Sequence, residues 1–215
     1  MRRALLVGIS GRIGKELMEA LLNDIRYKRI TVLTRHEGRR LKNIHLQVVK
    51  TDFSNLDAHI SDFEGIDDVY CLLDSEFINT NNVSDAELFD FEYPLNIAQV
   101  AEKAGVKNFV LLNHSEASLK NNLQKWNKRV KLEGIIREMN FENIYTFKVN
   151  GISKPVNAKG ALYNLSNKMG MLLNTLSLGY VNKIKLTPAN VLAKNMIATV
   201  SNNTKDKKEF GPKDY

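Results

Sequence analysis

The sequence predicts an α/β fold, a doubly wound parallel sheet with helices on both faces and a small C-terminal extension. Three observations lead there. The stretch Ala4 to Leu22, ALLVGISGRIGKELMEALL, reads as a strand, a glycine turn and a helix. Short apolar strands then alternate with amphipathic helices as far as Val149. No linker-like stretch, internal repeat or low-complexity tract interrupts the 215 residues, which predicts one domain over residues 1–215 with residues 151–200 as its extension.

The opening unit sets the chemistry. Ala4 to Gly8 is a short buried strand, and Gly8, Gly11 and Gly14 punctuate the turn. Leu17, Leu21 and Leu22 follow at helical spacing. Where a backbone passes close to a ligand a residue without Cβ is needed, and the free N–H groups opening a helix face an anion with the positive end of the dipole behind them. The expected guest is a pyrophosphate, held by Gly8, Ser10, Gly11, Arg12, Ile13 and Gly14. The spacing is G-x-x-G-x-x-G, with Ser10 at the middle glycine of the dinucleotide fingerprint. The rival phosphate-loop pattern fails twice. Ile9 stands where its first glycine belongs, and Glu16 follows Lys15 where a hydroxyl would hold Mg²⁺.

The remaining elements follow in order. Ile30 to Thr34 is a second strand, rich in β-branched residues, and its end is where a dinucleotide fold reads the adenosine ribose. An acidic side chain there suits the 2′-hydroxyl of NAD, arginine the 2′-phosphate of NADP. Arg35 leads the charged run, with Arg12 and either Arg39 or Arg40 to join it, which favours NADP; Glu37 keeps NAD open. Leu46 to Val49 is a third strand, after which Asp52 is placed to meet the adenine amino group and Phe53 to pack the base; Asp52 as a turn residue is the plainer alternative. Val69 to Leu73 is the fourth strand, its end facing pyrophosphate and ribose. Asp74, which follows, is an awkward carboxylate beside an anion unless it bonds ribose hydroxyls. Asn79 to Ser84 reads as polar loop, and a helix runs from about Glu92 to Lys103 with Pro94 in its first turn and Gly105 as its stop. Phe109 to Leu112 is the fifth strand. Trp126 to Met139 is a helix with Val130, Ile135, Ile136 and Met139 as its apolar positions. Ile144 to Val149 is the sixth strand. Beyond Gly151 the pattern loosens into a helix over Leu162 to Leu178, a short strand at Ile184 to Leu186, a last helix over Pro188 to Val200 and a polar tail from Ser201 that is expected to fray.

Composition narrows the classes. An apolar fraction of 43% and a charged fraction of 26% are those of an ordinary soluble protein, and no apolar run approaches the roughly 18 residues of a membrane helix. Arg2 and Arg3 mimic a signal peptide start, but the glycine turn breaks the apolar run behind them, so a cytoplasmic location is expected. A single Cys71 allows no internal disulfide, and the four histidines show no metal-ligand spacing. The net charge of +7 and pI near 9.4 are spread along the chain without a DNA- or RNA-binding motif. No nucleic acid, membrane or metal is expected as partner.

Several stretches in order resemble the atypical short-chain dehydrogenase/reductases, the NmrA-like or NAD(P)H-binding group. GISGRIG is similar to its G-x-[ST]-G-x-x-G turn, and DFSN (Asp52 to Asn55) to its adenine motif. KNFVLLNHS (Lys107 to Ser115) resembles its fifth strand ending in serines, YTFKVNG (Tyr145 to Gly151) its Y-T-x-x-R-P-G strand end, and LTPANVLAKNMIATV (Leu186 to Val200) its late helix. The resemblance implies a Rossmann fold binding NADP or NAD, and in active members a Ser, Tyr and Lys constellation. In that constellation tyrosinate exchanges the proton during hydride transfer, lysine lowers the tyrosine pKa and holds the ribose, and serine polarises the carbonyl. This chain departs from it. Counting back from Tyr145 puts Lys131 on the family's lysine and Asn127 on its tyrosine; a slip of one or two selects Arg129 and Lys125 instead. Neither register supplies a tyrosine. Asn113, His114 and Ser115 stand where two serines are common, so Ser115 or His114 is left to polarise a carbonyl or give a proton, and Lys131 to hold the ribose.

Two functions follow. One is an NADPH-dependent oxidoreductase on a small carbonyl, quinone-like or nucleotide-sugar substrate, with Leu73 beside the cofactor, Ser115, His114 and Lys131 as catalytic candidates, and a homodimer as an open assembly state. The other is a non-enzymatic NADP(H) sensor, in which occupancy orders residues 79–90 or the region after Gly151 and so changes a partner-binding surface.

Overall fold

The computed structural model describes residues 1–35, 43–75, 86–115, 123–152, 186–203 and 208–214. Strands β1 (Arg2–Val7), β2 (Tyr27–Thr34), β3 (Leu46–Lys50), β4 (Asp68–Cys71), β5 (Asn108–His114), β6 (Asn143–Val149) and β7 (Glu209–Phe210) form one sheet in the order β3-β2-β1-β4-β5-β6-β7, and every pairing is parallel. The order reverses between β1 and β4. In open parallel sheets such a switch leaves a crevice beyond the carboxyl ends of the strands.

Alternation along the strands builds two cores. Leu5 and Val7 of β1, Val69 and Cys71 of β4, and Phe109 and Leu111 of β5 face α2 (Ile60–Phe63), α3 (Tyr93–Lys103) and α4 (Leu123–Arg137) through Phe63, Ile97, Ala101, Leu132 and Ile136. Ala4, Leu6, Tyr70, Val110, Leu112 and Phe147 face α1 (Arg12–Leu22) and α5 (Ala189–Ser201) through Ile13, Leu17, Leu21, Leu192 and Met196. The central strands are apolar on both faces because both faces are covered, which is why β5 is buried along its whole length. At the far end of the sheet Asp68 is fully buried and accepts from Arg2 Nε at 2.6 Å, Tyr27 Oη at 2.8 Å and Asn108 Nδ2 at 2.8 Å, so the polar end of β4 is satisfied.

Several boundaries move from the sequence reading. β4 leaves its ladders after Cys71, and Leu72 and Leu73 run on into the crevice, with Leu72 N–H donating to Val7 C=O at 3.0 Å. A π-helical turn, Leu88–Glu92, precedes α3 and extends that helix backwards. α4 ends at Arg137. The tail from Ser201 is not all frayed: Phe210 sits on β7 and stacks on Phe147 with ring centroids 4.8 Å apart, which anchors the sheet's last edge. The helix expected over Leu162 to Leu178 and the loop at Asn79 to Ser84 lie outside the described residues. So does most of the strand at Ile184 to Leu186, beside which Thr187 bridges to Ile152. No helix among the described residues is long and apolar enough to cross a membrane.

The glycine turn rests on two close approaches. Gly8 has φ of +95°, and a Cβ there would stand 2.8 Å from the Leu72 carbonyl group. A Cβ on Gly14 would stand 2.6 Å from Ile9 Cα and closer still to the Gly8 carbonyl oxygen. Gly134, on the exposed side of α4, has nothing within 4 Å of the same position. Gly14→Ala is therefore expected to destabilise the fold by about 2–3 kcal/mol through backbone overlap. Gly134→Ala is expected to stabilise it by about 0.5–1 kcal/mol, and urea unfolding of the two variants reads both signs.

Candidate dinucleotide site

A cavity of about 700 Å³ opens at the switch point. Its floor on one side is the run Gly8, Ile9, Ser10, Gly11, Arg12, Ile13 and Gly14. Leu33, Thr34 and Arg35 from the end of β2, Phe53, and Phe89 of the π-helical turn form the adjoining wall. Leu72, Leu73, Leu112, Gly151 and Ile152 line the far side. Gly11 is the N-cap of α1 and brings no side-chain cap. The first turn of a helix has no internal acceptor for its N–H groups, so those of Arg12, Ile13 and Gly14 open toward the cavity they line. A Cβ-free cradle at a helix N-terminus fits a pyrophosphate.

The aromatic wall is fixed from below. Phe53 is buried yet has φ of +67°, a conformation rare for a bulky residue. It is held there by its N–H donating to Thr51 Oγ1 at 3.3 Å, by its C=O accepting from Asn96 Nδ2 at 3.3 Å, and by Tyr93, whose ring centroid lies 5.5 Å away. Phe89 meets Tyr93 edge to face at 5.1 Å and carries the Arg35 guanidinium 4.3 Å over its ring. Arg35 is thus a cation held at the β2 end of the crevice. Arg39, Arg40 and Glu37 lie outside the described residues.

Of the residues expected to touch a cofactor, Gly8, Ser10, Gly11, Arg12, Ile13, Gly14, Arg35, Phe53 and Leu73 line this one cavity. Asp52 does not. It is exposed and its Oδ1 accepts the Ser54 N–H at 3.0 Å; that bond, with a further one from the Ser54 hydroxyl, holds its carboxyl below the ordinary value. Lys131 does not line it either. It is exposed on α4, its Nζ 5.5 Å from the Phe91 ring centroid, because the helix turns Lys125, Arg129, Leu132, Glu133 and Ile136 inward instead. Ser115, half-buried at the end of β5, donates its hydroxyl to Asn150 Oδ1 across the strand ends.

Beneath Leu73 the structure assembles charges that sequence reading left scattered. Asp74 is fully buried. Arg129 Nη2 lies 2.6 Å from its Oδ2, His114 Nε2 lies 2.9 Å from the same oxygen, and Lys125 Nζ lies 3.1 Å from Oδ1. Arg129 also donates to Asp90 Oδ1 at 2.8 Å and to the Leu73 carbonyl at 3.3 Å, and Lys125 to Ser75 Oγ at 3.0 Å. Ser75 in turn donates its N–H and its hydroxyl to Asp90, at 3.0 and 2.7 Å. Burial alone would push the Asp74 carboxyl up; Arg129, His114 and Lys125 outweigh it and hold the group well below the usual carboxylate range. The awkward carboxylate is thereby paired with cations and does not line the cavity. Among the described residues no group of three or more His, Cys, Asp or Glu side chains is placed to hold a metal.

The rule that ligands sit past the strand ends gives Leu33, Thr34, Leu112 and Gly151. Phe89 had no such signal, being one of several apolar residues, with Leu88 and Phe91, set among acidic ones. The Arg129 and Lys125 pair was visible only as the alternative helix register.

A nucleotide cradle at a parallel switch point defines the class, and comparison with known proteins agrees. A family model described as NAD(P)H-binding matches residues 8–144, and the chain belongs to that family. A nicotinamide dinucleotide is its cofactor. Protein HTATIP2 of Rattus norvegicus is 27% identical over 150 residues, covering 66% of this chain and 60% of that protein, so the match spans less than two thirds of the relative's length. Among solved structures, a putative NAD-dependent epimerase/dehydratase from Bacillus halodurans superposes with a TM-score of 0.71 at 16% identity, over 98% of this chain and 93% of that one. The Bordetella bronchiseptica enzyme WbmH in complex with NAD⁺ gives 0.66 at 17% identity, over 98% and 74%. These two likenesses speak for the fold.

The Asp74 geometry has a pH signature. A carboxylate whose folded pKa is depressed contributes stability above its unfolded value of 3.8 and loses it as pH falls toward the folded value. Asp74→Asn is expected to cost about 3–5 kcal/mol near neutrality by leaving its cations short of a partner. That penalty should shrink as pH falls below about 4, read from urea unfolding at a series of pH values.

Proposed function

We propose that the chain is an NADP(H)-dependent oxidoreductase of the short-chain dehydrogenase/reductase type, acting by hydride transfer on a small carbonyl, quinone-like or nucleotide-sugar substrate. The observation that carries the cofactor half is Arg35 at the end of β2, lining the same cavity as the glycine cradle and poised on Phe89. A guanidinium there matches a 2′-phosphate, whereas a neutral ribose hydroxyl gains nothing comparable from it. In this reading the N–H groups opening α1 hold the pyrophosphate, Phe53 and Phe89 flank the adenosine, and Leu73, Leu112 and Ile152 shield the reacting end from water. The bound dinucleotide supplies the hydride. Ser115, at the end of β5, is the hydroxyl we assign to the substrate oxygen, and His114, buried against Asp74, positions that strand end rather than touching substrate. The substrate class rests on the family resemblance.

A second reading, a cofactor sensor without turnover, is favoured by one observation. The i, i+4 pair that α4 turns inward is Lys125 and Arg129, with no tyrosine, and both side chains are engaged with carboxylates. General acid help of the kind tyrosine gives is worth about 10²–10⁴-fold, so hydride transfer without it is slow.

Parallel titrations with NADPH and NADH, followed by coenzyme fluorescence and thermal melts, test the cofactor reading. NADPH is expected to bind more tightly and to raise the melting temperature more. Arg35→Glu should weaken NADPH about tenfold or more and turn the preference toward NADH. If neither coenzyme shifts the melting temperature at millimolar excess, the proposal fails. NADPH oxidation across a panel of quinones, aldehydes and nucleotide sugars separates enzyme from sensor.

A further inference from the structure

The buried charges under the crevice raise a question of electrostatics. Asp74 directly follows Leu73, and Asp90 directly follows Phe89; Leu73 and Phe89 both line the cavity. Two carboxylates immediately behind the walls of a pocket for a polyanion oppose its binding. A unit charge about 10 Å from another, at an effective dielectric near 20, shifts an affinity about tenfold. The cluster meets this with two cations on one helix face. Lys125 and Arg129 stand four residues apart on α4, so both reach the same side. Lys125 Nζ approaches Asp74 at 3.1 Å and Asp90 at 3.6 Å, and Arg129 Nη2 approaches them at 2.6 and 2.8 Å. Each cation therefore bridges both carboxylates, and the formal charges of the four cancel. His114 adds an imidazole against Asp74. Arg129 further donates to the Leu73 carbonyl, tying the cluster to the cavity wall itself.

We infer that Lys125 and Arg129 are positioning residues for the dinucleotide: by neutralising Asp74 and Asp90 behind Leu73 and Phe89, they make the crevice tolerant of an anionic coenzyme. The inference rests on the dinucleotide reading above. It separates from a purely structural role by sign. A scaffold that merely holds parts together is damaged by losing either partner of an ion pair, whereas a charge balance responds in opposite directions to loss of a cation and loss of an anion.

Full-length Lys125→Met, Asp90→Asn and the double variant, together with Lys125→Arg, test it by NADPH fluorescence titration at low and high salt, with thermal melts reporting the fold. Lys125→Met is expected to weaken NADPH about tenfold at low salt, and less at high salt. Asp90→Asn should hold or tighten binding even though it destabilises the protein. The double variant should return to within about twofold of the parent, and Lys125→Arg should match the parent. Weakening by both single changes alike, or no recovery in the double variant, overturns the inference. Should Lys125→Met fail to fold, Asp90→Asn and Lys125→Arg still decide, since a scaffold role predicts loss in the first. Failure of the parent protein to bind either coenzyme is a different result, and sinks the dinucleotide reading instead.

Discussion

The fold turns on one close contact, the first turn of α1 lying against the exit of β1 with no side chain between them. Gly14 passes the Gly8 carbonyl and Ile9 Cα at distances no Cβ would allow, and Gly8 in turn passes the Leu72 carbonyl group. The contact fixes the angle at which the helix leaves the sheet. The orphan N–H groups of that helix then face the switch point rather than solvent, and Leu72 is drawn one step past the β4 ladder to close the crevice behind them.

From there the site is assembled by convergence. β2 delivers Arg35, the turn after β3 delivers Phe53 in a strained conformation, and the π-helical turn before α3 delivers Phe89. Phe53 and Phe89 both rest on Tyr93, so the two aromatic walls share one support. The carboxylates Asp74 and Asp90 are kept off this surface by their engagement with Lys125 and Arg129. A binding surface made of backbone amides, aromatic rings and the guanidinium groups of Arg12 and Arg35 suits a ligand that is a phosphate bridge flanked by flat rings.

What could be read in advance depended on range. Gly8, Gly14 and the strand–helix unit around them were legible because their cause is local, a backbone that must bend and approach within a few residues. Arg35 and Leu73 were legible because strand ends in a parallel sheet all point one way. Phe89 was not, since it reaches the cavity only through a turn whose width no composition signals. The phase of α4 was misread for a physical reason. Apolar Val130 was counted toward the core but is 47% exposed, while Lys125 and Arg129 are buried, because the first half of that helix turns inward to carboxylates past the end of β4 and on the π-helical turn, and only its second half, through Leu132 and Ile136, meets a hydrocarbon core. Hydrophobic periodicity assumes that what lies opposite is greasy. Phe210 escaped notice likewise, a ring in a charged tail that gains its partner, Phe147, from the neighbouring strand β6.

The chain's single thiol sits at the last position of β4, fully buried, and burial pushes the Cys71 thiol up to about 12. A sulfur so deep and so firmly protonated offers peroxides and alkylating agents no nucleophile to seize.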